Sequence, residues 1–163
     1  MNLLTWGSLL IVLASAVIKL MINGAITLGT MDGANVEIFD AVGKDNIIIF
    51  GMTTPQVNEL KNRGYRPIDY FNADNRIRDA VERMYRGING CTFNDVANSL
   101  KERDPYMVLA DYDSYRNAQQ YATECYNDRL RWAKMSLNNI AGSGIFSADR
   151  AVTEYADNIW HLR

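Results

Sequence analysis

The chain has 163 residues, of which 48% are hydrophobic and 22% charged, which is the balance of one folded globular domain and not of a disordered segment. A formal net charge of -2 gives no basic footprint, so nucleic acid is excluded as the main partner. Two cysteines, Cys91 and Cys125, make neither a disulfide framework nor a zinc pattern, and are expected to be reduced, buried thiols of a cytoplasmic protein. His161 is the single histidine and lies almost at the C-terminus, which argues against Ser-His-Asp and Cys-His catalysis.

Residues 3–18 carry no charge and are mostly apolar. A membrane span needs about 20 apolar residues, and Lys19 arrives too soon. A signal peptide would have this apolar length, with Ala14-Ser15-Ala16 imitating a cleavage site, but no Lys or Arg precedes the run. The preferred reading is an apolar segment of atypical sequence, set apart from residues 19–163.

Ile26-Thr27-Leu28-Gly29-Thr30 predicts a short strand, Asp32-Gly33 a turn, and Ala34 to Val42 a helix ended by Gly43. Asn46 to Phe50 is the clearest strand, β-branched and apolar as a buried parallel strand would be. Strand, helix and strand at this spacing predict a βαβ unit and so a parallel sheet, an α/β class. Two strands are too few for a stable sheet, so further strands are expected from sequence outside this chain.

After Thr53 the pattern is helical. Thr54-Pro55 marks a helix start and Gly64 follows its end. Ile77, Ala80, Val81, Met84 and Tyr85 fall on one helical face. Phe93, Val96, Ala97 and Leu100 repeat that spacing, and Tyr115, Ala118, Ala122 and Cys125 form another face. Asn127 is the expected cap of a helix running through Trp132 to Ile140 and stopping at Gly142. Ser147 is the expected cap of the last helix, with Val152, Tyr155, Ala156, Ile159 and Trp160 on one face. No strand is expected between residues 74 and 160.

Asp111-Tyr112-Asp113 has the D-x-D form with which some sugar transferases hold a metal, but it offers two ligands and no neighbouring histidine, so a helix N-cap is the stronger reading. Gly24, Gly29 and Gly33 suggest a phosphate cradle, yet no G-x-G-x-x-G or Walker sequence is present, and tight turns explain them as well. Arg63, Arg66, Arg76, Arg78, Arg83 and Arg86 read as a solvated helix face. Lys19 follows an apolar run and precedes Leu20-Met21-Ile22. A desolvated amine can condense with an aldehyde, although by composition alone a lysine snorkelling from a helix end is the better account.

The run from Lys19 through Asn23-Gly24-Ala25-Ile26-Thr27-Leu28-Gly29-Thr30-Met31-Asp32-Gly33-Ala34-Asn35-Val36-Glu37 resembles the segment of the glycogen (α-glucan) phosphorylase family that carries its pyridoxal phosphate lysine. Asn46 to Gly51 resembles that family's next strand. Asn139-Ile140-Ala141, Ser143-Gly144, Phe146-Ser147, Asp149-Arg150 and Ile159-Trp160 resemble its closing helices. The likeness runs in unbroken order through nearly everything after residue 18.

The resemblance implies a GT-B fold, two doubly wound α/β domains around a cleft, with this chain as the last part of the second domain. It implies transfer of glucose from an α-1,4-glucan to inorganic phosphate, giving glucose 1-phosphate, by a homodimeric cytoplasmic enzyme. It also implies pyridoxal 5'-phosphate, held as a Schiff base by Lys19, with the cofactor phosphate assisting proton transfer beside the substrate phosphate.

The departure lies just upstream, where the family's Gly-Thr-Gly-Asn-Met is replaced by Ala14, Ser15, Ala16, Val17 and Ile18. Ser15 keeps a hydroxyl in this altered phosphate cradle, while Ala14 and Ala16 place Cβ atoms where glycines let backbone amides approach a phosphate. No catalytic side chain is carried over. The family's catalytic histidine, most phosphate-binding basic residues and the N-terminal domain have no counterpart, which a shortened or disturbed reading frame would explain. The expectation is a phosphorylase-type segment inactive alone. The alternative is a non-catalytic interaction module, membrane-tethered through residues 3–18 or pairing with a phosphorylase subunit through its sheet edge.

Overall fold

The computed structural model describes residues 17–162. They divide into two compact units, one made of the chain up to Ile49 together with the chain from Gln120 onward, the other of Phe50–Gln119.

The first unit begins with helical residues 17–22 (α1), followed by strand β1 (Leu28–Thr30), helix α2 (Ala34–Val42) and strand β2 (Ile48–Phe50). The expected strand–helix–strand order is present, with β1 and β2 in a two-stranded parallel sheet. Both strands are shorter than their apolar runs. Ile26 and Thr27 lead into β1 from a turn, although the Thr27 carbonyl still accepts the Ile48 N–H at 2.9 Å. On the other side, Asn46 is drawn into the turn that follows α2, its amide donating to the Val42 carbonyl at 2.7 Å. Helix α2 starts at Gly33, whose φ of 51° suits glycine, and stops where Gly43 adopts a φ of 77°. Its inward face supplies Ile38 and Val42, which pack with Met21 and Ile47.

From Gln120 the first unit continues through the second half of α7 (Tyr112–Asn127) into α8 (Arg129–Gly142), a 3-10 turn (Ser143–Phe146), α9 (Ala148–Tyr155) and a π turn (Ala156–Trp160). Helix α8 lies against α2 so closely that a Cβ on Gly142 would stand 2.9 Å from Val42 Cγ1 and 3.1 Å from the Ala41 carbonyl oxygen. Two expectations shift here. The cap of α8 is Asp128, whose carboxylate accepts the Arg131 N–H at 3.0 Å, because Asn127 is still the last residue of α7. Ser147 does cap α9, but the apolar side chains beyond it stay exposed: Val152, Tyr155, Ile159 and Trp160 all present most of their surface to solvent.

The second unit holds α3 (Thr54–Asn62), α4 (Pro67–Ala73), α5 (Asn75–Arg86) and α6 (Asn94–Glu102), with the first half of α7. Helix α3 begins at the Thr-Pro signal: Gln56 Oε1 accepts the Thr53 N–H at 2.8 Å, and Pro55 sits where its missing N–H costs nothing. Ile77 and Val81 of α5, Phe71 of α4, Ala97 of α6 and Leu109 form the core. Of the predicted α6 face, Ala97 is buried and Leu100 packs against the core. Phe93 and Val96 are exposed, since Phe93 is the residue before the first turn and its φ/ψ are not helical.

No strand lies between residues 74 and 160; an isolated antiparallel bridge pairs Ile88 with Cys91 around the Asn89-Gly90 turn. That turn corrects one cysteine: Cys91 is exposed because it ends a surface turn, whereas Cys125 on α7 is fully buried. Both are free thiols.

Candidate functional site

Helix α1 sets the direction of Lys19. Met21 is fully buried against Ile38, Val42 and Ile47, and Val17 packs on the same cluster. Positions 17 and 21 are one helical turn apart and share a face, so position 19, about 200° from each, faces the other way. Lys19 is accordingly exposed. The helix ends immediately after it. Asn23 donates from its side chain to the Lys19 carbonyl at 2.7 Å, and the N–H groups of Asn23 and Ala25 both return to the Leu20 carbonyl at 3.0 Å. A cation in the last turn of a helix, where Lys19 stands, also sits favourably in the helix dipole.

The three glycines that suggested a phosphate cradle each have a local structural reason. Gly24 (φ 77°) lets the chain turn against α8, where a Cβ would stand 2.2 Å from Ser136 Oγ. Gly29 leaves room for Asn35, whose amide nitrogen would be 2.6 Å from an added Cβ. That Asn35 amide donates to the Thr30 carbonyl at 2.9 Å, tying the end of β1 to the first turn of α2. Gly33 supplies the backbone conformation at the start of α2. The altered cradle residues Ala14, Ser15 and Ala16 lie outside the described residues, as does the apolar run before them. Within the described residues, no helix is long and apolar enough to cross a membrane.

Asp111-Tyr112-Asp113 is structural. Asp111 Oδ1 accepts the Met52 N–H at 2.9 Å, and Asp113 accepts from Arg76 at 2.8 Å. Asp111 thus stands just before α7 with its carboxylate on the loop residue Met52, just ahead of α3, not on its own helix. Burial raises its pKa, an effect partly countered by the Met52 N–H. Among the described residues, no three His, Cys, Asp or Glu side chains are grouped to hold a metal. The arginines are a solvated face in most cases: Arg63, Arg66 and Arg86 pair with Glu59, Asp69 and Glu82 on their own helices or at their starts. Arg76 differs. It forks onto Asp74 and Asp113 and lies over the Tyr112 ring at 5.6 Å. That hydrogen-bonded pairing holds the Asp74 carboxyl down at about 2.

Two arrangements escaped the sequence reading. Asp104, 1% exposed, accepts from Tyr65 Oη (2.6 Å) and from the N–H groups of Val108 (2.9 Å) and Leu109 (2.8 Å). Asn46, Asn138 and Asn139 form a relay: Asn138 donates to Asn46 Oδ1 (2.9 Å), and fully buried Asn139 donates to the carbonyls of Asn46 (2.7 Å) and Met135 (2.9 Å). Their partners are 39 and about 90 residues apart, beyond any periodicity; the one local signal was the Asp104-Pro105 turn dipeptide.

Comparison with known proteins bears on Lys19. The family model for carbohydrate phosphorylases matches residues 14–162. Glycogen phosphorylase of Pasteurella multocida is 42% identical over 149 residues, and that of Synechocystis 40% over 149; each alignment covers 89% of this chain and 18% of the relative. The muscle form from Rattus norvegicus is 40% identical over 148 residues, 88% of this chain and 18% of its own. The chain therefore spans under a fifth of the length of these relatives.

Proposed function

The chain belongs to the carbohydrate phosphorylase family, and from that premise we propose that it is the Lys19-bearing C-terminal segment of an α-glucan phosphorylase. The observation that carries this reading is a match running through residues 14–162 that includes Lys19, about 40% identical to glycogen phosphorylases. The intact enzyme would have the GT-B architecture, act in the cytoplasm as a homodimer, and transfer glucose from an α-1,4-glucan to inorganic phosphate.

What supports Lys19 as the cofactor anchor is the accessibility of its amine. Its side chain is exposed, belongs to no ion pair among the described residues, and is aimed away from the core by Met21. A primary amine so placed can take the aldehyde of pyridoxal 5'-phosphate. When bound, that group would supply a phosphate that exchanges a proton beside the substrate phosphate. The chain's own contribution is positional: Val17 and Met21 fix α1, Asn23 closes its end, and Gly24 seats the turn on α8.

The segment alone is proposed to be inactive in phosphorolysis, because the reaction needs a cleft between two domains. Ala14 and Ala16 would weaken cofactor capture wherever positive φ or close backbone approach to the phosphate is needed. The test is to incubate the chain with pyridoxal phosphate, reduce with borohydride, and map the modified peptide. Label at Lys19, increased by Ala14→Gly with Ala16→Gly, supports the assignment. Label confined to Lys44, Lys61, Lys101 or Lys134 in both proteins overturns it. Glucose 1-phosphate formed from maltodextrin above a heat-killed control would overturn the expected inactivity.

A further inference from the structure

The sequence holds two Asn-Gly pairs, and both sit in the same local context, Ile22-Asn23-Gly24 and Ile88-Asn89-Gly90. In an Asn-Gly pair the side-chain amide lies next to a backbone nitrogen that no Cβ shields, so the chain can attack its own side chain. Identical tripeptides share most of their intrinsic reactivity, and what separates them is the fold. The structure treats the two in opposite ways.

At the first pair both reacting groups are engaged. The Asn23 side-chain amide donates to the Lys19 carbonyl at 2.7 Å, and the Gly24 N–H donates to the Met21 carbonyl at 2.9 Å. Gly24 is also buried, against Ser136 and Ile140. At the second pair both groups are free. Asn89 and Gly90 are the central residues of a two-residue surface turn, with φ of 50° and 82°. The turn is closed by Ile88 and Cys91, which exchange N–H to carbonyl bonds of 2.8 and 3.0 Å. Those bonds use only the flanking residues. Among the described residues, neither the Asn89 side chain nor the Gly90 N–H makes a hydrogen bond. Both residues are exposed, and a Cβ built on Gly90 would meet nothing within 4 Å. Nucleophile and electrophile are therefore adjacent, solvated and unhindered.

We propose that Asn89 is a self-modification site, at which the folded chain converts an amide into a carboxylate with water as the only co-reactant. The Gly90 backbone nitrogen, its proton taken by hydroxide, attacks Asn89 Cγ. The N–Cγ bond forms, the Cγ–Nδ2 bond breaks, and the side-chain amide leaves as ammonia after taking a proton from water. The cyclic imide then adds water. Opening at Cγ gives aspartate, whereas opening at the Asn89 main-chain carbonyl carbon gives isoaspartate, with the chain continuing through the side chain. Either product adds a negative charge to an exposed turn. Isoaspartate also inserts a methylene into the backbone of a two-residue turn, which breaks the register of the Ile88–Cys91 pair. That turn joins α5 to α6, beside the bond from the Phe93 N–H to the Met84 carbonyl at 3.0 Å, so conversion of Asn89 loosens the link between these helices.

The test is to hold the full chain in mildly alkaline buffer, with and without urea, and to follow both tripeptides by peptide mass spectrometry. Isoaspartate is scored on the same peptides by an isoaspartyl O-methyltransferase with labelled S-adenosylmethionine. Without urea, conversion at Asn89 is expected to run about tenfold or more faster than at Asn23, which reacts only when its turn opens, and to yield isoaspartate at position 89. In urea the two rates converge. Gly90→Ala, its fold checked by circular dichroism, slows conversion at Asn89 in both conditions because its Cβ shields the nitrogen, and leaves Asn23 at the parent rate. Equal rates without urea, a difference that persists in urea, aspartate at position 89 with no isoaspartate, or a Gly90→Ala chain that converts at the parent rate would each overturn the proposal. None of these outcomes touches the labelling of Lys19, so the modification site and the family role fail separately.

Discussion

The phenol of Tyr65, just before α4, donates a 2.6 Å hydrogen bond to the carboxylate of Asp104, just after α6. Asp104 has no cation beside it among the described residues; two backbone N–H groups complete its partners. A buried carboxylate held by neutral donors is stable only while every donor is in place. Burial first, and the Asp104 carboxylate next, raise the pKa of the Tyr65 phenol.

Removing one partner therefore exposes the cost. Tyr65→Phe is expected to destabilise the fold by about 1.5 kcal/mol, and Asp104→Ala, which strands two N–H groups as well, by about 3 kcal/mol. Urea denaturation of both variants checks this. An Asp104→Ala variant with the parent's midpoint would show that the three bonds contribute nothing.

Acid should reach Asp74 late. Its folded pKa is lowered to about 2 from 3.8, so the stability it contributes is complete above its unfolded value and is lost as pH falls through about 2. Carbon-13 NMR of the Asp74 carboxyl should titrate near 2 in the parent and move up towards 3.8 in Arg76→Ala. No movement in that variant would remove Arg76 as the cause.

Gly24 is under two constraints that a double-mutant cycle can separate. Gly24→Ala meets a positive φ, costing about 1–2 kcal/mol, and a steric conflict with Ser136 Oγ at 2.2 Å. Adding Ser136→Ala should recover the steric part and leave the backbone part. Strict additivity of the two substitutions in thermal unfolding would mean that the close approach has no energetic weight.

Local chemistry made much of this fold readable. Gly43 stops α2 because φ 77° is open to glycine, Thr53 and Gln56 start α3, and Ile77 with Val81 marks the buried face of α5. The misses fall where local rules compete or lose. Asn127 and Asp128 are both good caps, and one residue of extra length in α7 decided between them. Phe93 and Val96 share helical spacing with Ala97, yet Phe93 precedes the helix and the face rotates away. The exposed apolar side of α9 was legible as periodicity, but periodicity says only that a face is apolar, not that anything covers it. In the candidate site, the buried Met21 beside exposed Lys19 follows from helix geometry, whereas the asparagine relay joins residues about 90 positions apart and left no trace in any short window.

The two thiols give the molecule a built-in clock. Cys91 ends a surface turn and Cys125 is fully buried on α7, with no disulfide between them. An alkylating reagent should consume Cys91 at the rate of a free thiol and wait for Cys125 until the packing around α7 opens. The lag between the two events therefore measures how often that part of the first unit breathes, with no added label or probe.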